Sequence, residues 1–380
     1  MKIACIIDSI KTFGGTQIQC IRVAEYLAKL GHEVEIYTTA LDLQYSHNIE
    51  NIVRLNIFEI TSKQRMEEFA DKIHNQTQGC DWLLVFDWTV HRLKYYLPNK
   101  KICWICNDPP YSRKYFGKFR SVALLKYWIL TIYGRHREHR YIKRLDCIMV
   151  LDNKNKEFLK EHYGVESHVV RSGIDITSTT TQGMDDAHFD KLAIKYHIEK
   201  KKYILAIGIA FRYRNYEVLI KSLEFIDNQI NAVIIAPGYY DKGYAAELKS
   251  LIQNKSRIFL EEHFISEIEK DLLLKNALCL VFPNKNQTWG LAPLESLMHN
   301  TIPIISRECG VTEVLEDRIH ALHFDPDSPT DLANRINFVI KNNGPCRKII
   351  EIGRTFILEN LTWDRYAEEI VHILNGSKLL

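Results

Sequence analysis

Short apolar runs alternate with amphipathic stretches along most of the chain. In the first half the apolar runs are KIACIID, HEVEIYTT, DWLLVFD, KICWIC and DCIMVLD. Such nearly continuous runs are typical of strands buried on both faces of a parallel sheet. Between them, TQIQCIRVAEYLAKLG and NKEFLKEHYG repeat apolar residues at helical spacing and end at glycine. This order predicts right-handed β-α-β units.

The pattern pauses at residues 176–200, where Ser, Thr, Gly and Asp cluster. The alternation then resumes. KYILAIG, NAVIIAPG, RIFLEEH, LCLVFP and TIPIIS are predicted strands, and the stretches between them, NYEVLIKSLEFI, YAAELKSLIQ, EIEKDLLLKNA and APLESLMHN, are predicted helices. We therefore predict an α/β protein with two doubly wound, Rossmann-like domains, residues 1–175 and 201–360, joined by a linker at 176–200. Residues 361–380 hold a closing helix, LTWDRYAEEIVHILN, that Thr362 could cap and whose apolar stripe must be buried.

The composition fits two ordinary domains. Of 380 residues, 46% are apolar and 26% are charged, which is enough for two cores and argues against general disorder. The formal charge of +3 excludes no class of partner. Nine irregularly spaced cysteines are typical of reduced, buried thiols. Cys103 and Cys106 form a C-x-x-C, but no second pair stands at ligand spacing, so structural cysteines are favoured over a redox or zinc site.

Neither a secretory signal nor a membrane span is predicted. Asp8 breaks the first apolar run, which lacks the length and cleavage site of a signal peptide. The stretch VALLKYWILTIY is too short to cross a bilayer and contains Lys126. We expect a cytoplasmic protein.

Two glycine-containing segments stand where a strand gives way to a helix. Gly14 and Gly15 follow the first strand, where they let the backbone approach a ligand at a helix N-terminus. No G-x-G-x-x-G is present, so a nicotinamide dinucleotide site gains no support. Gly290 precedes a helix predicted to begin near Pro293, where a diphosphate could accept amide hydrogen bonds. Glu295, expected in the first turn, could bind a ribose diol or simply favour the helix N-terminus.

Residues 287–314 resemble the signature of the family 4 glycosyltransferases: two acids separated by seven residues around Gly-Leu, then P-L-E, a strand and Gly-x-x-Glu-Val. Other motifs of that family follow in the same order over nearly the whole chain. The matching residues are Gly14-Gly15 of the N-terminal loop, Ser172–Asp175 (SGID) before the second domain, Gly208 with Arg212, Arg214 and Asn215 of the phosphate-binding segment, VFPN at 281–284, Gly290-Leu291 and Glu295 of the signature, Gly310, Glu313 and Val314 behind it, and TWDRYAEEI of the closing helix.

This resemblance implies a GT-B fold, with two Rossmann-like domains facing across a cleft and the closing helix packing back on the first domain. It implies a retaining hexosyltransferase that moves a sugar from a UDP- or GDP-sugar to a glycan or lipid-linked glycan acceptor, in cell-envelope polysaccharide synthesis. It implies no metal and no cofactor. The residues implied are Gly14, Gly15, Arg212, Arg214, Gly290, Leu291 and Glu295 for donor binding, and Gln287, Glu295 and Asn107 for catalysis.

Four positions depart from the family's pattern. Gln287 stands in place of the first acid, so it keeps hydrogen bonding to the donor sugar but loses charge. Gln17 replaces the acid after the glycine pair, and Ile209 replaces the arginine after Gly208. Asn107 stands where a His is frequent; it could fix the sugar or form an Asx turn. These changes leave open a non-catalytic glycosyltransferase-like subunit, or a sugar-nucleotide epimerase or phosphorylase of the same fold.

Enzymes of this type need no protein nucleophile, because the leaving diphosphate is stabilised and takes the acceptor's proton. The carboxylate pair D-x-D that holds a divalent cation on a nucleotide is not evident. Asp325 and Asp327 have that spacing, but they lie in a turn and are interpreted as helix caps.

Residues 112–144 are rich in Arg, Lys and aromatic residues and hold a single acid, Glu138. Such a segment is typical of a solvated helical face or of a surface that rests on anionic lipid. No recognised nucleic-acid-binding motif accompanies it. We favour peripheral contact with the inner face of the cytoplasmic membrane.

Overall fold

The computed structural model describes residues 1–11, 14–41, 53–60, 65–87, 89–110, 122–174, 185–226, 230–237, 242–253, 255–286 and 289–376, with the backbone alone for 122–130, 185 and 242. The chain forms two compact units. Unit 1 comprises residues 1–173 and 361–380, and unit 2 comprises residues 174–360.

Within the described residues, unit 1 is built on a sheet of seven parallel strands in the order β3-β2-β1-β4-β5-β6-β7. The central strands are buried along nearly their whole length, which explains their continuous apolar sequences. The strands are β1 Lys2–Ile6, β2 Glu33–Thr38, β3 Arg54–Ile57, β4 Trp82–Val85, β5 Ile102–Cys106, β6 Cys147–Val150 and β7 His168–Val169. The helices are α1 Gly15–Lys29, α2 Arg65–Gln76, α3 Leu93–Tyr96, α4 Val122–Ile142, α5 Asn153–Tyr163 and, at the end of the chain, α13 Trp363–Leu374.

Unit 2, over the ranges described, has a parallel sheet of six strands in the order β10-β9-β8-β11-β12-β13. The strands are β8 Tyr203–Ile207, β9 Asn231–Ile235, β10 Ile258–Glu261, β11 Cys279–Phe282, β12 Ile302–Ser306 and β13 Leu322–Phe324. The helices are α6 Asp185–Tyr196, α7 Tyr216–Ser222, α8 Lys242–Ile252, α9 Glu267–Asn276, α10 Leu291–Met298, α11 Pro329–Lys341 and α12 Asn343–Asn360. The predicted α/β class with two Rossmann-like sheets is confirmed.

The structure differs from the predicted linker at residues 176–200. Helix α6 occupies the second half of that range and belongs to unit 2. Its buried side chains Phe189, Leu192 and Tyr196 recur at helical spacing and pack in a core cluster with β8 and α9. The periodicity was obscured because the preceding residues are rich in Ser, Thr and Gly.

Helix α13 packs against α1 within unit 1. The Gln19 side-chain nitrogen donates to the Tyr366 hydroxyl at 2.8 Å, and both residues are buried. Thr362 caps α13, as predicted, because its hydroxyl accepts from the backbone N–H of Arg365 at 3.3 Å.

Gly173, the glycine of the SGID motif, lies directly against this cap. A Cβ on Gly173 would come 2.3 Å from the backbone nitrogen of Trp363 and 2.4 Å from the carbonyl carbon of Thr362. Two backbone segments therefore touch at a point where any larger residue would force them apart.

Helix α4 is fixed to the rest of unit 1 by a buried ionic cluster. Glu138 accepts from Arg92 Nη2 at 2.6 Å, and His91 Nε2 lies 3.1 Å from its other oxygen. Burial alone would raise the pKa of Glu138, but the hydrogen bonds from His91 and Arg92 outweigh it and lower that pKa to about 2. No helix among the described residues is long and apolar enough to cross a membrane.

Replacing Gly173 tests the close approach of the two backbones. Gly173→Ala should lower the free energy of unfolding by about 1–3 kcal/mol, because the backbone at 362–363 must shift to make room. Urea unfolding followed by tryptophan fluorescence measures this change.

Gly344→Ala is the matched control, since a Cβ on this helical glycine meets nothing within 4 Å. The control should be neutral or slightly stabilising. Equal unfolding midpoints for the two variants would contradict this prediction, because a Cβ at Gly173 would then be accommodated at no cost in stability.

Candidate functional site

The sheet of unit 2 has a topological switch point between β8 and β11. Strand β8 has β9 on one side and β11 on the other, so the winding direction of the chain reverses there. In open α/β sheets, ligands bind at such a point, outside the carboxyl ends of the strands. The segments that leave these two ends, residues 208–215 and 283–291, hold most of the predicted donor-binding residues.

Arg214 lies against Gly208 at the end of β8. Gly208 has a φ of +151°, which side chains rarely allow, and a Cβ there would come 2.7 Å from the guanidinium carbon of Arg214. The same guanidinium carbon is 5.9 Å from the centre of the Phe282 ring at the end of β11. The arginine is therefore held over the carboxyl ends of both strands.

Asn215 locks the turn that carries Arg214. It takes a left-handed conformation (φ 52°) and is buried. Its side-chain nitrogen donates to the backbone oxygens of Pro283 at 3.3 Å and Pro326 at 2.8 Å. This predicted motif residue thus ties the segment after β8 to the loop after β11.

The N-terminus of α10 also lies against Phe282. A Cβ on Gly290, the residue before α10, would come 2.7 Å from the Phe282 ring. Gly290 provides no side-chain cap for the first amides of α10, which begins at Leu291. Uncapped amides and the helix dipole together favour an anion at this end. Phe282 consequently contacts both features of the site that attract negative charge.

The sequence predicted Glu295 in the first turn of its helix, but the structure places it beyond that turn. The helix begins at Leu291 rather than near Pro293, because Leu291 and Ala292 already take helical conformation behind the extended Gly290. Glu295 is half-buried, and its Oε1 accepts from Lys270 Nζ at 3.0 Å. Lys270 belongs to α9 and was not among the predicted site residues.

The Arg212 side chain contacts residues of α8, whereas Arg214 lies beside Gly208 and Phe282. Its guanidinium forms an ion pair of 2.7 Å with Glu247 on α8, and its guanidinium carbon is 5.3 Å from the Tyr244 ring centre. Both side chains of the pair are 46% exposed. The two arginines that the sequence treats alike therefore differ in surroundings, and Arg214 is the one at the switch point.

The predicted residues of unit 1 also converge. Gly15 is the first residue of α1, with open space where a Cβ would stand, and Gly14 precedes it. Thr16, next in α1, accepts through its hydroxyl from Asn107 Nδ2 at 3.0 Å. Asn107 follows β5, and Asn155 Nδ2 donates to its backbone oxygen at 3.1 Å. The glycine pair and Asn107 thus lie together at the carboxyl edge of the unit 1 sheet.

Several predictions fall on undescribed residues. Gln287, Asp175 and residues 112–121 lie outside the described ranges. Within those ranges, no group of three His, Cys, Asp or Glu residues is placed to hold a metal ion. The interpretation of Asp325 and Asp327 as helix caps is wrong, because Ser328 caps α11 and Asp327 pairs with Lys285.

Two family models match the chain, one on each half. The model for Glycosyltransferase Family 4 matches residues 13–178, and the model for Glycosyl transferases group 1 matches residues 189–356. Together they include every predicted site residue.

Curated proteins and solved structures are also similar to this chain, the latter in fold. The uncharacterized glycosyltransferase MJ1607 of Methanocaldococcus jannaschii is 22% identical over 95% of this chain and 94% of its own. The O-antigen chain mannosyltransferase RfbU of Salmonella typhimurium is 24% identical over 65% of this chain and 67% of its own. The structure of Anabaena HepE in complex with UDP-glucose matches with a TM-score of 0.82 at 13% identity, covering 99% of this chain and 100% of that one.

Proposed function

We propose that this chain, a member of the family 4 glycosyltransferases of the GT-B fold, is a retaining enzyme that transfers a sugar from a nucleoside diphosphate donor to a glycan or lipid-linked glycan. The observation that carries the proposal is the convergence of Arg214 and the α10 N-terminus on Phe282. Two positive groups at a topological switch point suit a diphosphate. The UDP-glucose complex of the similar HepE supports a nucleotide-sugar donor.

Each residue of the site has a separate role in this proposal. Arg214 and the amides of Leu291 and Ala292 bind the diphosphate. Glu295 accepts hydrogen bonds from the ribose diol, since each carboxylate oxygen has more than one acceptor position. Gln287 hydrogen-bonds hydroxyls of the donor sugar.

The reaction follows from stabilising the leaving group. As the bond between the sugar C1 and the diphosphate oxygen breaks, negative charge grows on that oxygen beside Arg214. The acceptor hydroxyl forms its bond to C1 on the same face and passes its proton to the departing phosphate. We propose that Arg214 and the helix terminus replace a metal ion in this step.

Two observations support the proposed acceptor class: the similarity to RfbU and the basic surface of the 112–144 segment. RfbU is named as an O-antigen chain mannosyltransferase, so we propose a role in envelope polysaccharide synthesis. The described part of the 112–144 segment supports an acceptor at a membrane. Its basic face combines Arg140, Lys143 and Arg144 with Ile132 and Tyr133. All five residues are exposed, and 68% of the Tyr133 surface is accessible to solvent. The acid of this segment, Glu138, is buried and paired with Arg92, so it does not cancel the charge.

Nucleotide binding tests the assignment of Arg214. Titration calorimetry with UDP and GDP should show binding of at least one of them. Arg214→Met should weaken it at least tenfold, since charge-assisted hydrogen bonds contribute about 1.5–3 kcal/mol. Arg212→Met is the matched control and should change the affinity little, because Arg212 is paired with Glu247.

Turnover separates the enzyme from a binding subunit. The wild-type chain, given the matching sugar conjugate, should release the sugar or transfer it with retained anomeric configuration by NMR, and chelator should not stop it. Binding without any turnover across donors would favour a non-catalytic subunit. Inverted product would overturn the retaining mechanism.

Vesicle binding tests the basic face. Arg140→Ser/Lys143→Ser should reduce co-sedimentation with vesicles containing phosphatidylglycerol by roughly 30-fold, because each basic residue near an anionic surface contributes about 1 kcal/mol. Arg347→Ser/Lys348→Ser removes the same two charges from an exposed part of α12 and should have no effect. Equal losses in both variants, or no binding by the wild-type chain, would exclude a membrane role for this face.

A further inference from the structure

Lys270 is the cation that forms an ion pair with Glu295. It lies on α9, whose N-terminus is fixed by a capping box between Ser266 and Glu269. Its ammonium donates to Glu295 at 3.0 Å and to Glu267 at 2.6 Å. The Lys270 side chain is 15% exposed, whereas that of Glu267 is 64% exposed. The half-buried Glu295 is therefore the partner that solvent screens least.

Burial and charge act on Lys270 in opposite directions. Burial alone would lower the pKa of this amine, but the carboxylates of Glu295 and Glu267 outweigh burial and raise it above the ordinary value. Lys270 is thus positively charged throughout the physiological pH range. A long amine side chain that is held in this way loses most of its rotational freedom, so its carboxylate partner is held as well.

The contact leaves part of the Glu295 carboxylate available. Lys270 donates to Oε1, and no donor among the residues that the structure describes contacts Oε2. Because each carboxylate oxygen can accept more than one hydrogen bond, two neighbouring hydroxyls can still be accommodated. A second pair, His299 Nε2 with Asp271 Oδ1 at 3.1 Å, joins α9 to the C-terminal end of α10 and does not involve the Glu295 carboxylate.

We infer that Lys270 is a positioning residue for donor binding, which fixes Glu295 so that its carboxylate accepts from the ribose diol of the nucleotide. This rests on the proposed function. Lys270 has a second effect in the same arrangement. An unpaired carboxylate near the diphosphate site would repel the ligand, and the ammonium neutralises that repulsion without approaching the phosphates itself.

The test compares a nucleotide with its analogue that lacks the diol. The probes are UDP or GDP, whichever the wild-type chain binds, and its 2′,3′-dideoxy form, with dissociation constants from calorimetry. The wild-type chain should bind the parent nucleotide at least tenfold more tightly than the dideoxy form. Glu295→Gln should lose most of this preference.

Lys270→Met should bring the preference to within about threefold of unity, and it should weaken binding of the dideoxy form as well, because the unpaired Glu295 carboxylate then repels the diphosphate. Lys270→Arg, which keeps the charge and can still donate to both carboxylates, should restore most of the preference. Asp271→Asn is the matched control for α9–α10 packing and should keep the wild-type preference. Circular dichroism checks that each variant is folded, and Lys270→Gln replaces Lys270→Met if that variant does not fold.

The outcomes distinguish the inference from the proposed function. A preference that is lost in Glu295→Gln but kept in the folded lysine variant, Lys270→Met or its replacement Lys270→Gln, would overturn the role of Lys270 alone. Loss in Asp271→Asn equal to that in Lys270→Met would reduce Lys270 to a packing contact, which also overturns it. A wild-type chain that binds neither nucleotide, or whose preference survives Glu295→Gln, would contradict the proposed donor site itself.

Discussion

Because Gly208 and Gly290 have no side chains, Arg214 and Phe282 can occupy the carboxyl ends of β8 and β11. A methyl group at either position would come 2.7 Å from one of these two side chains. The arginine and the first amides of α10 then share one aromatic ring as their support. Packing thereby places two separate sources of positive potential over neighbouring strand ends, and no charged residue needs to be buried alone to achieve it.

Glu295, the acidic residue of the same site, has its own cationic partner. Glu295 is paired with Lys270 on α9, and Arg212 is paired with Glu247 on α8. The charge directed at the strand ends is therefore that of Arg214 and the helix terminus. Under the proposed function, this arrangement separates the groups that bind the diphosphate from the carboxylate that accepts from the ribose hydroxyls.

Much of the fold was predictable from the sequence because buried parallel strands have a strong signature. Each apolar run named for the first half contains a strand, and so do KYILAIG, NAVIIAPG, RIFLEEH, LCLVFP and TIPIIS in the second half. Strands β3 (RLNI), β7 (HV) and β13 (LHF) were not predicted because they are short and contain polar residues. Helix α6 escaped because its three core residues follow a Ser- and Thr-rich stretch.

The site was predictable as motifs but not as contacts. Gly208, Gly290 and Glu295 stand in recognisable patterns, whereas Lys270 lies 25 residues from Glu295 on another helix. Only the packing of α9 on α10 brings them together. The different surroundings of Arg212 and Arg214 likewise depend on the turn that Asn215 holds in a left-handed conformation. Local propensity does not specify which of two nearby arginines faces the switch point.

The most direct test adds the missing methyl group at Gly208 and measures nucleotide affinity. Gly208→Ala should displace the Arg214 guanidinium and weaken UDP or GDP binding by about the same factor as removal of the arginine, and the double variant should bind no more weakly than either single one. A folded Gly208→Ala protein with wild-type nucleotide affinity would contradict the account, because the position of Arg214 would then not depend on this glycine.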